Sequence, residues 1–363
     1  MILEDMHRAP VNAPIGHVAQ SGESDPKRDR GGPAQPMLIV RGLKKHFEIG
    51  GSALGKNKTV VRAVDGVNFS VGKGETLGIV GESGCGKSTT ARLLMHLITP
   101  DAGDLIFDGE EVGSVRGINV RDLRQNMQMV FQDSYASLNP RLTIRDSIAY
   151  GPRVTGIGKA EAVARAEKLL GMVGLEPGMF ALRYPHELSG GQRQRVNIAR
   201  ALAMEPRMLI LDESVSALDK SVEAQVLNLL RQLKRELNLT YVFISHDLNV
   251  VQYVSDRVLV MYLGQVVESG PVGAIYGGAR HPYTTALLSS RPSMDPRRRV
   301  ETPPLSGDPP NPINPPSGCR FRTRCPHAQA RCAEEAPTLA PSPLDPNHLA
   351  ACHFPRAAAA RAA

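Results

Sequence analysis

The chain of 363 residues has no tryptophan, and aromatic residues make up only 4% of it. Stacking platforms of the kind that grip single-stranded nucleic acid are therefore scarce. No run approaches 18 apolar residues, which excludes a membrane-spanning helix of ordinary length. The opening MILEDMHRAP lacks the basic flank and apolar core of a secretory signal, so cytoplasmic residence is expected. The net charge of +7 is spread over dispersed arginines, including Arg297–Arg299, with no aromatics between them. That pattern suits a solvated or membrane-facing surface, and no nucleic-acid partner is expected.

Composition divides the chain into three. Residues 1–36 are rich in Pro, Gly, Ser and charge without apolar periodicity and read as a flexible leader. Residues 37–290 carry the strand and helix patterns, with residues of about 97–190 mixed and more helical. Residues 291–363 hold about half of the 28 prolines and read as an appendage with little regular structure. Strand-like runs at Thr76–Val80, Met127–Phe131, Met208–Leu211 and Tyr241–Ile244 alternate with helical patterns such as Ala160–Val173 and Lys220–Leu237. In the last of these, Val222, Val226, Leu229, Leu233 and Leu237 make one apolar stripe, which is core packing. The alternation predicts an α/β fold with a mostly parallel sheet covered by helices, plus an antiparallel β region near the start.

Gly81–Thr89 reads GESGCGKST, a complete phosphate loop between a strand and a helix. Its glycines let successive N–H groups face one phosphate chain, and the helix that follows adds its positive end. Gly81, Ser83, Gly84, Cys85, Gly86, Lys87, Ser88 and Thr89 are the expected nucleotide contacts. Lys87 reaches the outer phosphates and the Ser88 hydroxyl can ligate Mg²⁺. About a hundred residues on comes LSGGQ (Leu188–Gln192), then RQRVNIARAL, then Asp212 and Glu213 after an apolar strand. SALD (Ser216–Asp219) follows, and His246 stands after the strand Tyr241–Ile244. Gln132 ends the strand Met127–Phe131. The phosphate loop, Gln132, Asp212–Glu213 and His246 each follow a strand, where open α/β sheets bind ligands.

These elements, in this order, resemble the ATP-binding cassette family over residues of roughly 37–290. The resemblance implies ATP as substrate and a helical insertion before LSGGQ. It makes Asp212, with Ser88 and Gln132, the Mg²⁺ site, and Glu213 the general base. Gln132 also senses the transport domain, and His246 orients Glu213 and contacts the γ-phosphate. Ser189, Gly190, Gly191 and Gln192 meet the nucleotide held by an opposite cassette, and Asp219 communicates across that dimer. A single phosphate loop with a single LSGGQ therefore implies a partner cassette. Ser214-Val215 departs from the family's usual Pro-Thr without touching ligand chemistry. Phe47 is the candidate for stacking on adenine, with a core role as the alternative.

FQDSYASLNPR (Phe131–Arg141), YPHELSGGQRQR (Tyr184–Arg195), HPYTTALL (His281–Leu288) and GCRFRTRCPHA (Gly318–Ala328) resemble the F-type ATP-binding subunit of dipeptide/oligopeptide importers. The implied assembly has a D-type cassette, two membrane permeases and an extracytoplasmic solute-binding protein. It places the chain at the cytoplasmic face of the inner membrane. A related nickel or glutathione importer is the alternative, and a non-transport cassette ATPase a more distant one. Four of the five cysteines, Cys319, Cys325, Cys332 and Cys352, cluster in the tail as C-x₅-C-x₆-C-x₁₉-C. A reducing compartment disfavours disulfides there, and a bound metal would give this core-poor segment folding energy. The resemblance favours a [4Fe–4S] cluster, with zinc as the alternative.

Overall fold

The computed structural model describes residues 29, 31–32, 34–50, 59–291, 310–343 and 345–356. Most of the expected leader and residues 51–58 lie outside them. The strands among the described residues are β1 (Leu38–Ile49), β2 (Thr59–Val71), β3 (Thr76–Val80), β4 (Ala102–Phe107), β5 (Glu110–Glu111) and β6 (Met127–Val130). They continue with β7 (Met208–Asp212), β8 (Thr240–Ile244), β9 (Arg257–Tyr262), β10 (Gln265–Pro271), β11 (Ala340–Pro341) and β12 (Leu349–Ala350).

Two sheets result. One is antiparallel in the order β2-β1-β4-β5. The other runs β11-β12-β10-β9-β3-β8-β7-β6, and its strands from β9 to β6 are parallel. Strands buried on both faces need apolar residues at every position, and β7 shows how that is used. Met208 and Ile210 point towards the antiparallel sheet, in the cluster that holds Leu38, Val67 and Phe107. Leu209 and Leu211 point the opposite way, among Val196, Leu230 and Leu233 of the outer helices. The period-2 alternation thus assigns neighbouring residues to two different cores.

Helix 87–94 follows β3 and contributes Ala91, Leu93 and Leu94 to the first of these cores. Helices 144–154 and 159–172 pack on each other and on helix 190–202, forming the helical part between β6 and β7. Helix 220–236 buries Val226, Leu229, Leu230 and Leu233, so the expected stripe is core.

The tail joins the main sheet. Its strand β12 pairs with β10, placing Ala350 opposite Glu268 and Leu349 opposite Ser269, and β11 adds one further strand. Glu268 is fully buried there, and three donors satisfy it. The Arg280 and His281 N–H groups donate at 2.7 and 3.0 Å, and His348 Nε2 stands 2.6 Å away. A buried carboxylate is tolerated only when so partnered. Asp29, within the expected leader, pairs with both Lys73 and Arg207, which also hold the buried Asp108.

Candidate functional site

The phosphate loop turns directly out of β3. Gly81, Gly84 and Gly86 have φ of 150°, 77° and 105°, a region that side chains avoid. At two of them space is closed as well. A Cβ on Gly81 would stand 2.3 Å from the Met261 carbonyl oxygen, and one on Gly86 would stand 2.3 Å from that of Ala63. Helix 87–94 begins at Gly86, so its free N–H groups open into the loop. Lys87 spans the loop, its ammonium donating to the Gly81 and Glu82 carbonyls at 2.8 and 3.0 Å. Ser83, Gly84 and Cys85 line a cleft of about 330 Å³ with Tyr262 and Pro310–Pro312. Cys85 is itself buried, and burial pushes its thiol up. Thr89 lies on the helix after the loop.

The ends of β6, β7 and β8 meet beside it. The Ser88 hydroxyl donates to Asp212 Oδ1 at 3.1 Å. Asp212 is only 6% exposed, and that burial pushes its carboxyl above the usual range, with the Glu213 charge adding to the effect. Glu213 Oε2 accepts from Gln132 Nε2 at 2.9 Å and stands 3.4 Å from His246 Nδ1. Glu213 has φ 47°, and its N–H is held by the Ile244 carbonyl at 2.9 Å. A glutamate in the left-handed region is strained, and such strain persists where neighbours fix the backbone. Residues 81 apart in sequence, and 33 in the case of His246, are thus brought onto one carboxylate.

LSGGQ forms a separate feature. Ser189 caps helix 190–202: its hydroxyl accepts the Gln192 N–H at 3.3 Å, and Gln192 Oε1 accepts the Ser189 N–H at 3.0 Å. Gly191 packs so closely that a Cβ would stand 2.4 Å from Val222 Cγ1, and Gly190 lies over Leu218. The signature is therefore braced by Leu218 of SALD and by Val222 of the helix that follows it. Asp219 starts helix 220–236, and Lys220 beside it bonds Asp247, next to His246, at 2.9 Å. Phe47 lies on β1 opposite Val61, half-exposed, with the Lys45 ammonium 5.7 Å from its ring centre. An exposed ring rules out the core role weighed for it.

The four tail cysteines line one small cavity with His281, Phe321, His327 and His353. Burial raises the thiols of Cys319 and Cys325, and pushes Cys352 up to about 11. Among the described residues, however, no group of three or more Cys, His, Asp or Glu is arranged to hold a metal ion. The sequence reading of the tail also missed its contact with the phosphate loop. Arg324 donates to both Glu82 carboxylate oxygens, at 2.7 and 3.0 Å, and Tyr283 Oη accepts the Glu82 N–H at 2.9 Å. No local pattern announces a contact between residues 242 apart.

Comparison with known proteins agrees with this geometry. Residues 64–216 match the ABC transporter family, and residues 267–332 match the oligopeptide/dipeptide transporter C-terminal region. The oligopeptide transport ATP-binding protein AppF of Bacillus subtilis is 50% identical over 325 residues, 88% of this chain and 98% of AppF. Among solved structures, cbiO1 of Clostridium perfringens, part of the transporter complex cbiONQ, superposes with a TM-score of 0.57 at 29% identity. That match covers 66% of this chain and 90% of cbiO1. The ATP-binding cassette MJ0796, solved as a dimer bound to ADP and Pi, gives 0.56 at 29% identity over 65% of this chain and 99% of its own. With the phosphate loop, the paired carboxylates and LSGGQ all in place on this fold, the chain belongs to the ABC transporter family as one of its ATPase subunits.

Proposed function

We propose that this chain hydrolyses ATP to drive peptide import, acting as one half of a cassette dimer on a pair of membrane permeases. The observation that carries the catalytic reading is the convergence of Gln132 and His246 on Glu213, next to Asp212 and Ser88. Glu213 is the general base: it takes a proton from the water that attacks the γ-phosphate. His246 and Gln132 hold its carboxylate in place and complete the phosphate surroundings. Lys87 and the loop amides bind the phosphate chain. Asp212, Ser88 and Gln132 would hold Mg²⁺. Their hard oxygen donors fit it, and the poorly solvated Asp212 carboxylate gains most from a cation. Mg²⁺, when bound, neutralises charge on the phosphates.

The C-terminal match and the name of AppF support peptides as the cargo. Docking to permeases is supported by apolar side chains left exposed between Gln132 and Tyr184, among them Tyr135, Tyr150, Val154, Met179 and Leu182. Among the described residues no helix is long and apolar enough to cross a membrane, so attachment runs through such partners. Ser189, Gly190, Gly191 and Gln192 complete the site of the opposite cassette, with Asp219 signalling across the dimer. A D-type subunit is the partner and the inner membrane's cytoplasmic face the location. An iron–sulfur cluster or zinc in the tail is supported only by the four thiols sharing one cavity.

Glu213→Gln tests the catalytic reading in the assembled transporter. Hydrolysis should fall by about 10²–10⁴, the range for a lost general base, with ATP binding retained. Turnover near the wild-type rate would remove Glu213 from the mechanism.

A further inference from the structure

We infer that the C-terminal region positions the phosphate loop: Arg324 and Tyr283 clamp Glu82, the loop's second residue, and thereby set its affinity for the nucleotide's phosphates. The inference rests on the ATP-site reading above. Three observations carry it.

First, the clamp grips both parts of one residue. Arg324 takes the Glu82 carboxylate with two hydrogen bonds, and Tyr283 Oη takes the backbone N–H. Bidentate guanidinium–carboxylate pairs fix orientation as well as distance.

Second, the clamp stands on a firm base. Arg324 is 6% exposed and its guanidinium lies 6.0 Å from the Tyr262 ring centre. Tyr262, Tyr283 and Phe321 pack as a triangle of rings with centroids 4.6 to 5.4 Å apart. These rings come from the end of β9, from helix 282–289 and from the tail, so three distant segments meet behind the loop. A glycine-rich loop has many conformations to lose on closing around phosphate, and anchoring Glu82 removes part of that loss beforehand.

Third, the charge needs a partner. Glu82 puts a negative carboxylate on a loop built to wrap a polyanion, where like charges repel. Arg324 neutralises it at contact distance. Arg324 and Tyr283 are therefore positioning residues that act on phosphate through Glu82.

Equilibrium binding of a fluorescent ATP analogue to the full chain, with hydrolysis by the assembled transporter, tests this. Arg324→Ala should raise Kd about tenfold and raise KM for ATP, with kcat within about twofold of wild type. Arg324→Lys, which keeps the charge and loses the fork, should fall between. Adding Glu82→Gln to Arg324→Ala should recover most of the affinity, because the unpaired charge is then gone. Tyr283→Phe keeps the ring triangle and should weaken binding by a few-fold, and it stands in should Arg324→Ala fail to fold. Kd within twofold of wild type in both Arg324→Ala and Tyr283→Phe, or no recovery in the double variant, overturns the clamp. Lys87→Ala separates the two readings. Loss of binding in Lys87→Ala alone refutes the clamp and leaves the ATP site standing. Unchanged binding in Lys87→Ala refutes the ATP site, and the clamp falls with it.

Discussion

Acid should destabilise this protein through one imidazole. His281 is fully enclosed beneath Phe321, and its Nδ1 accepts the Tyr283 N–H at 3.1 Å, capping helix 282–289. Burial pulls its pKa down to about 4, against a smaller opposing pull from Glu268. Above about pH 6.5 the ring is neutral folded or unfolded and costs nothing. As pH falls from there towards about 4, the unfolded chain binds a proton that the folded chain refuses, so stability falls with pH. The loss works out to roughly 2 kcal/mol at about pH 5 and about 3 kcal/mol once both forms are protonated. The proton would land on the nitrogen that caps the helix, so the cap and the charge cannot coexist. Urea denaturation of wild type and His281→Asn, at about pH 7 and about pH 5, isolates this contribution. Asparagine keeps an acceptor at the cap and cannot titrate. Its loss of stability between the two pH values should be smaller than the wild type's by roughly 2 kcal/mol. Equal losses in the two proteins would refute the assignment, whatever the absolute stabilities.

Two further outcomes follow from the site and the tail. The purified chain held monomeric should hydrolyse ATP far more slowly than when paired with a second cassette if, as proposed, LSGGQ completes the site of the opposite cassette. Steady-state turnover at fixed ATP checks this, and undiminished turnover by a strict monomer would contradict it. For the cysteine pocket, anaerobic purification followed by metal and sulfide analysis decides between iron near four per chain, stoichiometric zinc, and four titratable thiols. The iron–sulfur reading expects brown protein, and the raised thiols mean that uptake of any metal should release protons and weaken as pH falls.

Much of this was legible in the sequence because the signals were local. β7 lies at Met208–Asp212 and helix 248–254 starts after Asp247, whose carboxylate caps it at 2.9 Å. An unbroken apolar run and a capping residue suffice for such elements. The ordered motifs also located Glu213, Gln132 and His246 before their contacts were known. Other features escaped for definable reasons. β1 runs on past Val40 without a sequence signal, because Gly42 and the register shifts after it break the alternation. β11 and β12 are two residues each, too short for any periodicity, and lie among prolines. Glu82 resembles a neutral filler position of the loop until the fold brings Arg324 to it.

The pairing of β10 with β12 has a consequence for how the chain is made. β10 presents its outer edge to Leu349–Ala350, and the buried Glu268 on that strand depends on His348. Until residues 348–350 leave the ribosome, that edge lacks β12 and that carboxylate lacks one of its three partners. Exposed strand edges recruit other chains. A message ending early, or a protease cutting in the Pro-rich stretch, would therefore release a cassette whose motifs are all intact and whose sheet is sticky.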